Sequence, residues 1–188
     1  ADPEKTSGVV RAALVARAGL AAMVDALRPA VRPGTLRGAC AAAFASLGVT
    51  TPAFEAVAAP LETGTSTWLS PERALVDGER VVLRSGALRY GCEASLARTY
   101  VIGSPSVEQP PPGGWDDLVA ACVAGATAGA LRRRGVTVHG AGHGIEAWPD
   151  DLALVPGLMA AIEYRDDSGV RQDIARITDA APLLVTDP

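Results

Sequence analysis

The sequence predicts one α+β domain, and three observations lead there. Apolar residues make up 48% of the 188 positions and charged residues 20%, the balance of a folded chain large enough to bury a core. Three stretches, 7–27, 35–47 and 115–134, read as helices. Around them lie short β-type runs broken by glycine and proline. No internal repeat and no composition shift marks a second domain, so residues 1–188 read as one unit without a separate N-terminal domain.

The first helix is expected from Ser7, a good N-cap, to Leu27, with Arg28-Pro29 closing it. Arg32-Pro33-Gly34-Thr35 is a turn whose threonine caps a second helix to Leu47, and Gly48 suits its C′ position. Phe54–Ala58 is a short strand, followed by a polar loop over Glu62–Ser70. Arg80–Leu83 and Ala87–Ile102 read as strands parted at Ser85-Gly86. Four prolines and two glycines within Ser104–Gly114 make a surface connection. The third helix has Asp116 and Asp117 in its first turn and Arg132, Arg133 and Arg134 in its last, the order its dipole favours. Strands are expected over 158–164, 170–178 and 183–186.

Charge and cysteine content exclude several classes. Net charge is −4, and no basic block is longer than Arg132-Arg133-Arg134, which gives a nucleic-acid partner little electrostatic support. Cys40, Cys92 and Cys122 are too far apart for a zinc knuckle and odd in number for a disulfide framework, which suits a reducing cytoplasm. Arg11, Arg17 and Asp25 interrupt the longest apolar run, so no membrane span is expected.

The two histidines fall in His139-Gly140-Ala141-Gly142-His143-Gly144-Ile145. Its glycines argue against a helix and for a loop or strand that presents imidazoles beside bare backbone; a tight turn with incidental histidines is the alternative. Further on come Val155-Pro156-Gly157-Leu158-Met159-Ala160-Ala161-Ile162-Glu163 and Arg171-Gln172-Asp173-Ile174. Upstream lie Asp77-Gly78-Glu79-Arg80-Val81-Val82-Leu83 and Gly91–Tyr100. Together, and in this order, these segments resemble the signatures of the aminopeptidase P, prolidase, methionine aminopeptidase and creatinase family. That resemblance spans nearly the whole chain and implies a pita-bread fold, in which helices cover one face of a strongly curved antiparallel sheet.

Enzymes of that family hold two divalent metals with two aspartates, a histidine and two glutamates. Carried over residue by residue, the aspartate positions fall on Arg84 and Ser95, the histidine on His143, and the glutamates on Glu163 and Gln172. One carboxylate in four remains, and a guanidinium stands where a metal would bind, so the resemblance implies a dismantled site without metal or other cofactor, with Arg84 paired to Glu163. Glu93, two residues before Ser95, and Asp173, beside Gln172, are the carboxylates that could substitute. The metal-free creatinase mechanism takes a histidine from near Thr67-Trp68-Leu69-Ser70, and no histidine precedes His139.

Three functions follow. The first is a non-peptidase or repurposed binding domain, its cleft taking a peptide, a small anionic molecule or a protein partner, with homodimerisation open. The second is a metal-independent hydrolase or lyase acting on a small anion, with Arg84, Ser95, Trp148 and Gln172 as binding residues and His139, His143 and Glu163 as catalytic ones. The third is an ordinary Xaa-Pro-type aminopeptidase. Trp148 serves pocket or core equally well. Trp115 and Cys92 read as structural.

Overall fold

A computed structural model describes residues 3–61, 73–142 and 148–186. The expected loop over Glu62–Ser70, with Thr67-Trp68-Leu69-Ser70, and the position of His143 lie outside those residues. Two helices lead, α1 (Pro3–Asp25) and α2 (Pro33–Ser46). Four strands follow: β1 (Val57–Pro60), β2 (Arg80–Arg89), β3 (Cys92–Val101) and β4 (Val107–Glu108). Then come two short helices, α3 (Trp115–Ala121) and α4 (Ala128–Arg132), and the strands β5 (Thr137–Gly140), β6 (Met159–Arg165), β7 (Val170–Arg176) and β8 (Leu183–Leu184).

The strands form one antiparallel sheet in the order β1-β2-β3-β7-β6-β5, with β4 added to β3 and β8 to β7. Alternation along each strand sorts side chains between two faces. Val81, Leu83, Ala87, Leu96 and Tyr100 pack with α1 and α2 on one face. Farther along that face, Val138, Ala160, Ile162 and Ala175 pack with α3 and α4. Among the described residues all four helices thus lie on a single face, and the other carries the residues described below.

Several sequence expectations need correction. α1 starts at Pro3, and Ser7 lies inside it, its Oγ accepting from Arg11 at 3.0 Å. Pro33 opens α2 with Arg32 as N-cap, so Thr35 does not cap it. β1 starts at Val57 rather than Phe54, whose ring instead stands against Gly86: a Cβ there would come within 2.3 Å of it. Gly86 therefore sits inside a strand because nothing larger fits. The hairpin turns at Tyr90-Gly91, where both residues have positive φ (51° and 75°), and not at Ser85-Gly86.

The expected helix 115–134 is broken in two. Gly125 takes φ 87°, Thr127 is extended and bridges to Ala153, and its Oγ1 accepts from the Ala130 N–H at 3.2 Å to cap α4. The membrane argument also changes. Thr6–Asp25 is long and apolar enough to cross a bilayer by length and composition, the three charges notwithstanding. In this fold its apolarity is used against the sheet and α2, where Val9, Ala12, Ala13, Val15, Ala16, Leu20 and Met23 are buried.

Candidate functional site

On the face without helices, one cross-strand row contains Arg84, Ala97, Gln172, Glu163 and Thr137 in succession, each paired with the next in register. Ala97 contributes only a methyl group, so the Arg84 side chain can lie across it toward Gln172 and Glu163. Arg84 Nη1 donates to Glu163 Oε2 at 2.7 Å and Nη2 to Oε1 at 3.0 Å, a bidentate charge-assisted pair. Nη1 also donates to Gln172 Oε1 at 3.1 Å, and Gln172 Nε2 donates to Ser95 Oγ at 2.9 Å. The amide orientation follows from chemistry: a guanidinium only donates, so Gln172 must turn its carbonyl to Arg84 and its NH₂ to Ser95. Arg84 is wholly buried, Gln172 and Ser95 nearly so, and the Glu163 side chain is 20% exposed.

His139 sits on β5 opposite Ala161, on the same face as Glu163. Its Nδ1 lies 2.9 Å from the carbonyl of Gly140, which can only accept, so in this contact Nδ1 carries a proton. Glu93, Ser95 and His139 line a hollow with room for a single water. Burial raises the Glu93 carboxyl above its ordinary value, and the charge of His139 lowers it in part.

Two expected residues belong elsewhere. Asp173 points to the helix face, where Oδ1 accepts from Arg98 Nη2 at 2.6 Å and from Thr186 Oγ1 at 2.7 Å, and Oδ2 from Arg171 Nε at 2.9 Å. It is fully buried and committed there. Trp148, for which the sequence left substrate pocket and core packing equally open, packs with the α3–α4 core, its indole against the backbone of Gly140; Gly140 and Val138 face the helices while His139 faces the site. Trp115 is core, its ring 5.5 Å from the Arg171 guanidinium. Cys40, Cys92 and Cys122 are buried and unbridged, and burial pushes the Cys122 thiol up to about 11. Among the described residues no group of three or more His, Cys, Asp and Glu side chains is placed to hold a metal. The Arg98–Asp173 cluster escaped sequence reasoning, although the period-2 alternation that turns Gln172 inward turns Arg171 and Asp173 outward.

Residues 8–164 match the model of metallopeptidase family M24. The chain belongs to that family. Its fold is the pita-bread fold, as in prolidase from Pyrococcus horikoshii OT3, which superposes with a TM-score of 0.80 at 19% identity over 99% of this chain and 62% of that one. Prolidase from Pyrococcus furiosus gives 0.80 at 21%, over 100% and 65%. The His350Ala aminopeptidase P of Escherichia coli gives 0.78 at 14%, over 98% and 56%. The chain thus spans less than two thirds of the length of these M24 proteins. No curated protein matches it by sequence.

Proposed function

We propose that this chain is an M24 domain that does not hydrolyse peptides, its dinuclear metal site replaced by an internal ion pair, and that it works as a binding domain. The observation that carries this reading is the guanidinium of Arg84, wholly buried and held by both oxygens of Glu163. Two divalent ions bring about four positive charges and want anionic oxygen around them. The corresponding positions offer one carboxylate, one amide, one hydroxyl and a guanidinium that keeps its proton. These residues do not fit a metal pair. Neither substitute repairs the set, because Asp173 is engaged on the other face and Glu93 adds one carboxylate without removing Arg84.

The small-anion enzyme is less well supported, since the donors such a substrate needs are already engaged by Glu163 and Gln172. Peptidase activity of the kind named for its structural neighbours would require the metal. Elemental analysis decides among these. After incubation with manganese, cobalt or zinc and removal of free ion, the protein is expected to retain no stoichiometric metal; about two metals per chain would overturn the reading, and one would implicate Glu93.

A further inference from the structure

An open groove lies on the helix side, between α2 and residues 49–56. Its volume is about 500 Å³, within the roughly 300–1,000 Å³ typical of small-molecule sites. Ala41 and Ala45 of α2 form one wall, Pro52 and Ala56 the other, and Phe44 and Val49 lie buried beneath. Gly38 leaves further room, since a Cβ there would meet nothing within 4 Å.

One end of this apolar slot carries a guanidinium, with the Glu55 carboxylate beside it in the lining. Arg37 Nε pairs with Glu55 Oε1 at 2.9 Å, and the Glu55 side chain is 80% exposed. Among the described residues the two Nη groups of Arg37 make no hydrogen bond. The guanidinium leans back over the first turn of α2, with Nη2 3.7 Å from where a Cβ on Gly34 would stand. That turn has no side-chain cap, so the positive end of the helix dipole adds to the charge of Arg37.

We propose that this groove binds an apolar monocarboxylate of the medium-chain fatty-acid type. The chain lies along Ala41 and Ala45, and the carboxylate takes the Nη edge of Arg37 in a bidentate contact. Glu55 is compatible with this, because a guanidinium presents two edges and an exposed ion pair is weak. The proposal does not depend on whether the Arg84 site binds metal.

Decanoate, kept below its micelle concentration and titrated calorimetrically into the whole chain, tests it. Saturable 1:1 binding is expected, weakened about tenfold by Arg37→Gln, as loss of a charge-assisted contact implies. Ala41→Trp should abolish binding by filling the slot. Should that variant fail to fold, Gly38→Leu fills the same space with a better helix former. Decanol, which lacks the carboxylate, should bind at least about tenfold more weakly. Absence of saturation, equal affinity for decanol, or an affinity untouched by Arg37→Gln or by filling the groove would each overturn the proposal.

Discussion

Each face of the seam between β3 and β7 carries a buried arginine, and the two are handled differently. The seam itself is thin, with Ala97↔Gln172 as its one register pair, so side chains do much of the joining. On the helix face Arg98 reaches Asp173 and the Gln172 carbonyl (2.8 Å); from the opposite side of the same strand Thr99 Oγ1 donates to the Val170 carbonyl at 3.1 Å and accepts from the Val170 N–H at 2.8 Å. There the carboxylate is fully enclosed and has three side-chain donors. On the site face the carboxylate is partly wet and, among the described residues, has Arg84 as its one side-chain donor, while the hydrogen bonds continue from Arg84 through Gln172 to Ser95. The lesson is that burial of the arginine does not rank a pair; the enclosure of its partner does, because the desolvated and orphaned carboxylate or guanidinium sets the cost of a deletion.

Variants can break or sharpen that comparison. The largest loss is expected for Asp173→Ala, about 3–5 kcal/mol, because Arg98 and Arg171 both lose a buried acceptor; urea unfolding measures it, and a loss smaller than that of Arg84→Ala would reverse the ranking. Arg84→Ala should cost about 2–4 kcal/mol through the orphaned Glu163. The double variant Arg84→Leu with Glu163→Leu should recover much of this, whereas simple additivity of the two single changes would mean that the residues do not interact. Ser95→Ala removes only the last hydrogen bond of the site-face chain and should cost about 1 kcal/mol. The smallest effect concerns pH. Burial, offset in part by His139, raises the Glu93 carboxyl, so the folded state keeps that proton to higher pH than the unfolded state does. Its contribution to stability is complete below the ordinary carboxylate range and declines as pH rises through the folded value. Glu93→Gln should therefore flatten the change in urea midpoint between pH 4 and pH 7; an unchanged slope would mean that Glu93 titrates alike in both states.

Much of the site could be read from the sequence because the resemblance to the peptidase family implied Arg84, Ser95, Glu163 and Gln172 as its members and Arg84 and Glu163 as a pair. Strand alternation and hairpin spacing are the local rules that keep such residues on one face. They could not say that Gly86 is a packing glycine, because the reason is Phe54, more than thirty residues earlier. Nor could they find the hairpin turn, since Tyr90 holds a positive φ that sequence patterns assign to glycine or asparagine. The broken helix after Trp115 is a similar case: its residues favour helix locally, and the Thr127–Ala153 bridge that interrupts it is a tertiary contact. Trp148 was ambiguous for a plainer reason, as only the face of Gly140 decides which side the indole occupies.

The alanine in the middle of the site row has a consequence best put in lengths. From β2 to β6 the row crosses three strand spacings, about 14 Å along the sheet. The Arg84 and Glu163 side chains close that span between them, and they can do so only because the residue beneath the arginine is a methyl group high. Lysine at 84 or aspartate at 163 would keep every charge and shorten the reach, and valine at 97 would keep both ends and lift the bridge off its footing. Substitutions that look conservative on a charge scale are thus disruptive on a ruler, and the three positions can vary only as a set.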